Sequence, residues 1–414
     1  MKDLMRRKAT ILLAAGAAIM LSAAVPALSA DQTLTVYSFK GTPGQEADMP
    51  AINKLFEAEY PDIKLNYVAL PAGTAYESKI QVELLAGKSA DVIMAQGTQL
   101  TQLSKNGYFV DLSSEPWAAN VLEQVKPFFS YEGQLYAMPL LGSGIGMFTN
   151  MDVLAAAGIT SVPTDWPGFL DALAKVKAAG YTPIAVPDKL GWGGAMTFLN
   201  MGSTLVPSTW ADDYWNGKGD FSTWLPVLQQ MMELDQKGLI NWKEQLGVDE
   251  FSQGLGNFKQ GKTAFWVQGM WNISDLKANN INFQFTAVPA GPAGSSPKVF
   301  MYAGAGWTIS ATSPNIDAAK KYVAFQARPD ISLKYLTADG GLSMFKGAPS
   351  PAFEGVETFN ASYGAGDFSY MATSTWFGDG VQEALGSKLQ AMLLGQITPE
   401  ETAKALDSIG LRKQ

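Results

Sequence analysis

From residue 34 onward, short β-branched runs alternate with helix-length amphipathic stretches, and this alternation restricts the fold more than any other feature of the chain. LTVYSF (34–39) is apolar and β-branched, and the segment after it places Met49, Ile52, Leu55, Phe56 and Tyr60 at helical spacing until Pro61 ends the pattern. Ile63, Leu65 and Tyr67 then alternate in DIKLNYV, as a strand with one covered face requires. Ile80, Leu84 and Leu85 predict a second helix that Gly87 caps, and ADVIMA (90–95) reads as a short buried strand. Strands that alternate with helices predict a parallel sheet covered on both faces, an α/β architecture.

A chain of 414 residues exceeds one ordinary hydrophobic core, so two domains are expected. The second α/β unit is expected to begin near residue 143, where LLGSGIGMFTN carries Gly142, Gly144 and Gly146 and reads as a hinge. Beyond it, Thr164 is the expected N-cap of a helix whose face is Phe169, Leu170, Leu173 and Val176 and which Gly180 terminates. The loop VPAGPAGSSPK (288–298) is read as a further crossing between lobes.

Residues 1–30 form a unit of their own: a basic start, the apolar run ATILLAAGAAIML, then small residues before Asp31. This pattern predicts a signal peptide cleaved near residues 27–30. A retained membrane anchor is the alternative, but the run is shorter than the roughly 20 residues that span a bilayer. Arg6-Arg7 is a weak twin-arginine hint.

Removing Lys2, Asp3, Arg6, Arg7 and Lys8 from the 30 basic and 38 acidic residues leaves 26 and 37, a net charge of −11. Such a chain repels nucleic acid, which needs a basic face. The sequence holds no Cys and no His. That excludes disulfides, Cys/His zinc sites, cysteine nucleophiles and Ser-His-Asp triads. With 47% apolar residues, core burial alone must hold the fold. No cofactor and no metal site is expected; no calcium-loop pattern is present.

GNFKQGKT (256–263) matches the phosphate-binding loop letter for letter. Phosphate binding needs a strand before the loop and a helix after it. Phe251, Leu255 and Phe258 predict a helix before, and TAFWV a strand after, so the match reads as a helix-to-strand turn. SDLK (274–277) lacks the companion motifs of a serine–lysine enzyme. A carboxylate pair for glycoside cleavage remains open, because among 38 acids any chosen pair is arbitrary.

The eleven tryptophans are more telling, since a pyranose has an apolar C–H face that lies flat on an aromatic ring while its hydroxyls want polar partners at the edge. Most tryptophans belong to packing. Trp192 in PDKLGWGG, Trp271 after VQGM and Trp376 in STWFGDG sit in loops, where binding residues concentrate.

The chain resembles the family 1 bacterial extracellular solute-binding proteins, the sugar receptors of ABC importers. The resemblance rests on ordered segments along nearly all of the mature chain: FEAEYPDIKLNYV, LLAGKSADVIMAQG, YEGQLYAMPL, MFTNMDVLAAAGITSVPTDWPGFLDAL, FKQGKTAFWVQGMW, VPAGPAG, YAGAGWTISATSPNIDAAKKYVAF and LLGQITPEETAKAL. It implies a two-lobed, type II-like periplasmic-binding-protein fold, each lobe a sheet flanked by helices, with a hinge between. The implied division is 31–142 plus 286–338 for the first lobe and 143–285 plus 339–414 for the second. Carried over by position, the first lobe presents Phe39, Lys40, Tyr76 and Gln96, with Ser143 at the first crossing. The second lobe presents Trp192, Trp271 and Trp376 as stacking platforms with Gln268 and Asp379 beside them, while Gly304 to Trp307 return to the cleft. Gln96 and Gly97 stand where some oligosaccharide receptors carry an acid. The implied protein is a periplasmic, non-catalytic monomer whose partners are a mono- or oligosaccharide and the membrane permease subunits. A receptor for polyamine or iron, a glycan hydrolase and a chemoreceptor-coupled sensor remain as alternatives.

Overall fold

A computed structural model describes residues 32–41, 47–71, 74–123, 125–370, 376–377, 381–409 and 412–413. The leader-like segment 1–30 lies outside the described residues. Two main sheets, the first packed in one core and the second with a core on each face, account for the alternation in the sequence.

The first sheet is built by β1 (Gln32–Ser38), α1 (Met49–Glu59), β2 (Ile63–Ala69), α2 (Thr74–Leu85) and β3 (Val92–Gln96). Strand β1 runs parallel to β2 from Gln32↔Ile63 to Ser38↔Ala69 and parallel to β3 on its other side. Met49, Ile52 and Phe56 bury one face of α1, as their spacing predicts, but Leu55 is exposed, as is Leu85 at the end of α2. Both lie one position off the covered stripe, and a helix resting on a single sheet face buries only that stripe.

The chain leaves this sheet through β4 (Met138–Pro139) and enters the second as β5 (Gly142–Asn150). All nine residues of β5 are buried. The expected glycine hinge is thus a central strand: β5 is bonded to β7 (Thr263–Gly269) on one edge and to β8 (Phe283–Thr286) and β9 (Val299–Ala303) on the other. Its glycines serve close packing. A Cβ at Gly144 would lie 2.3 Å from the Phe359 ring, and one at Gly146 only 2.4 Å from the Thr286 carbonyl oxygen.

Between β5 and β7 come α3 (Trp166–Ala178), β6 (Thr182–Ala185), α4 (Trp192–Leu205) and α5 (Ser252–Lys259). The N-cap of α3 is Asp165, one residue beyond the expected Thr164; its carboxylate accepts from the Gly168 N–H. Helix α5 precedes the GKT turn and β7 follows it, so the phosphate-loop match has the reversed order that the sequence predicts. The second sheet runs β11-β9-β5-β7-β6, with β11 at Phe368–Tyr370, and the first is completed as β2-β1-β3-β10-β4 by β10 (Ala305–Ile309).

Two lobe boundaries differ from expectation. Residues 286–303 lie in the second lobe, because β9 is bonded to β5 and Val288 and Ala290 pack in the second core. The VPAGPAG loop is therefore internal to that lobe, and the crossing comes at Gly304. Met344 and Phe345, expected in the second lobe, pack in the first core. After β10, α6 (Ile316–Gln326) and α7 (Pro329–Asp339) cover the first sheet, and α8 (Val381–Leu393) packs on α4.

The crossings meet in a narrow neck. Gly142 and Leu342 exchange two backbone hydrogen bonds of 2.9 and 2.7 Å, and the Leu140 N–H donates to Ala305 O at 3.0 Å. Leu141 fills the space left by Gly304 and Gly341, where a Cβ would come within 2.9 Å of it. Since the backbone of β8 cannot yield as a side chain would, Gly146→Ala is expected to lower stability by about 1–3 kcal/mol, read as a lower urea midpoint at unchanged slope.

Candidate functional site

Directly opposed residues of an antiparallel pair project from the same sheet face. Tyr302 on β9 is opposed to Ser143 on β5, and the Tyr302 hydroxyl donates to Gln96 Oε1 at 2.6 Å. This bond joins the second sheet to the last residue of β3 in the first. Ser143 therefore faces the same inter-lobe side as Tyr302; it is buried, and its Oγ finds no hydrogen-bond partner. Burial pushes the Tyr302 hydroxyl up, so it remains a donor at any physiological pH.

On the first-lobe side, Phe39, Tyr76 and Gln96 line one small cavity of about 10 Å³ together with Glu77 and Gln99. Phe39 stands edge-on to Tyr76 at 5.5 Å. The Tyr76 hydroxyl donates to Met94 O at 2.7 Å, so what it offers the cavity is its ring. Burial, and then the negative charge of Glu383, push the Glu77 carboxyl up. Lys40 is close by in sequence, but its ammonium pairs with Asp339 at 2.5 Å, with both side chains largely buried.

On the second-lobe side, Trp192 begins α4 and Trp271 follows β7. Their rings are in contact at 5.8 Å, and Phe251, half out in solvent, adds a third ring 5.4 Å from Trp192. The Trp271 indole lies directly over Gly269, where a Cβ would be 2.2 Å from the ring. Both tryptophans and Tyr302 are partly exposed and pack against the same core.

Three other residues of the expected set stand elsewhere in the structure. Trp307 is fully buried within the first core, edge-on to Tyr322 at 5.7 Å, because β10 is a central strand with α6 over it. Gln268 is 1% exposed; its Nε2 donates to Glu250 O at 2.8 Å and its Oε1 accepts from the Gly269 N–H at 2.9 Å, so it supports backbone. Gly304 lies in the neck against Leu141. Trp376 is in a two-residue strand paired with residues 412–413; its side chain, and Asp379 altogether, lie outside the described residues.

Tyr302, Phe251, Glu77 and Gln99 were not foreseen. Tyr302 had a signal, since it opens the YAGAGW segment; the other three have none apart from being near, in space, to residues that do. Lys40→Met should leave Asp339 as an uncompensated buried charge and lower stability by about 3 kcal/mol. Asp339→Asn should cost less than that, and the double variant less than the sum of the two, as measured by urea denaturation in a double-mutant cycle.

The chain has known relatives. It is 24% identical over 336 residues, 77% of either chain, to the multiple sugar-binding protein of Streptococcus mutans. Among solved structures it shares its fold with a chitin oligosaccharide binding protein (TM-score 0.78, 21% identity, 92% of this chain and 98% of that one). It shares it also with the solute-binding protein RafE in complex with raffinose (TM-score 0.75, 19% identity, 91% and 98%). The family profile described as bacterial extracellular solute-binding protein matches residues 41–331, well over half of the chain, and the chain belongs to that family.

Proposed function

We propose that this protein is the exported, non-catalytic sugar receptor of an ABC importer, holding a mono- or oligosaccharide between its lobes. The observation that carries the reading is twofold: the touching indoles of Trp192 and Trp271 pack on the same core as Tyr302, and Tyr302, opposed to the partnerless Ser143 hydroxyl, bonds Gln96 of the other sheet. Indole faces match the C–H face of a pyranose, and Ser143, Gln96 and Tyr302 supply acceptors and donors for its hydroxyls. The names of the relatives agree with a carbohydrate ligand, as multiple sugars, chitin oligosaccharide and raffinose are what those proteins bind. Sugar stabilises the closed arrangement to the extent that it contacts both lobes at once, and the permease subunits then meet a closed, monomeric receptor in the periplasm.

A thermal-shift and calorimetric screen with raffinose, maltotriose, chitobiose and mannitol tests this reading. A bound sugar at 100-fold its dissociation constant should add about 2.7 kcal/mol to the folded state. Trp271→Ala should weaken that sugar by about 1–3 kcal/mol, roughly 5- to 150-fold, with the fold intact by circular dichroism. Unaltered affinity in Trp271→Ala would take the indole out of the site, and release of cleaved product from any of these sugars would convert the reading to a hydrolase.

A further inference from the structure

Behind Trp192 lie two buried carboxylates that sugar contact does not use. Asp188 and Glu250 are 0% and 1% exposed. Glu250 Oε1 accepts from the N–H groups of Leu190 at 2.7 Å and Trp192 at 3.3 Å, and Asp188 Oδ1 accepts from the Gly194 N–H at 2.8 Å. The two acids thus hold both flanks of the turn that delivers Trp192. Two glutamines hold the acids by their main-chain carbonyls: Gln268 Nε2 bonds Glu250 O at 2.8 Å and Gln390 Nε2 bonds Asp188 O at 2.6 Å. The turn has no slack. Gly191 is left-handed at φ 79°, a Cβ at Gly193 would lie 1.9 Å from Pro187 O, and one at Gly386 on α8 would lie 2.7 Å from Gly191 O.

The remaining oxygens, Asp188 Oδ2 and Glu250 Oε2, are buried with no hydrogen-bond partner. A pair of buried, incompletely bonded carboxylates is costly when both are charged. Around them, Asp249 adds negative charge next to Glu250, while α8 contributes Gln390 and Gly386, β7 contributes Gln268 and α4 contributes backbone N–H groups. Lys189 is exposed, and among the described residues no lysine or arginine pairs with either acid. Burial first, with repulsion from Glu250 added, outweighs the Gly194 N–H bond and pushes Asp188 up to about 7; burial raises Glu250 as well.

We propose that Asp188 and Glu250 are positioning residues that keep Trp192 seated only while the pair carries a proton, so that the aromatic wall loosens when both acids become charged. The consequence for sugar rests on the function proposed above, but the seating of the indole does not. The folded chain keeps a proton on Asp188 that the unfolded chain releases near its ordinary value of 3.8. The stability this proton contributes is therefore complete below about pH 4 and is lost as pH rises through about 7.

The test uses the full mature chain with 5-fluorotryptophan in place of tryptophan, observed by fluorine NMR without sugar from pH 5 to 8.5. The Trp192 resonance is assigned by its disappearance in Trp192→Phe. It should move with a midpoint near 7, while that of the core residue Trp242 stays still. Asp188→Asn keeps the acceptor for Gly194 and removes the charge, so it should flatten the Trp192 titration and the fall in Tm between pH 5 and 8. Glu250→Gln should move the midpoint to lower pH. A Trp192 resonance that is flat in the parent protein, or that titrates unchanged in Asp188→Asn, overturns the proposal; should Asp188→Asn not fold, an unmoved midpoint in Glu250→Gln overturns it instead. The sugar panel separates the two readings: a Trp192 titration without sugar binding sinks only the receptor reading, and sugar binding with a flat resonance sinks only the clamp.

Discussion

Gly142 is bonded on both sides where the chain passes between lobes. It pairs with Ala303 in the second sheet and exchanges two hydrogen bonds with Leu342, while Leu140 just before it donates to Ala305. Three strands of chain are tied by main chain alone, and glycines at 304 and 341 let Leu141 fill the middle. Main-chain bonds in such a neck fix which residues face each other across the lobes while leaving a few φ/ψ angles to absorb relative motion. The meeting of Tyr302 with Gln96 depends on this arrangement, since each lies only a few residues from the neck on its own strand or on one paired with it.

The second sheet divides its faces between two tasks. One face carries Phe148, Trp266 and Phe285 in a stack of aromatic rings that never reaches solvent. The other carries Ile145, Met147 and Phe300 into a larger core whose margin is Trp192, Trp271 and Tyr302. The site is thus the unfinished edge of a core. Apolar rings already packed on one side present the other side without further ordering, which limits the entropy lost on binding.

Polar residues near that margin work at one remove. Gln268 is the clearest case, because a glutamine three residues before Trp271 reads from sequence as a ligand contact. In space it bonds Glu250, and Glu250 bonds the turn bearing Trp192. The turn that carries the Trp192 indole is therefore tied to buried polar groups two bonds away.

The sequence by itself determined the α/β class, the order of the early strands and helices and the reversed order around GNFKQGKT. These are local properties: hydrophobic period, Pro and Gly punctuation and residue type are written in consecutive positions. Only the tertiary structure decided that the glycine-rich stretch is a central strand, that Trp307 is core, that Lys40 is held by Asp339 and that Gln268 props up a backbone. Each depends on a partner far along the chain, Thr286 for Gly146, Tyr322 for Trp307, Asp339 for Lys40. A side chain's role there is set by what packs against it, and periodicity carries no record of which distant segment that will be.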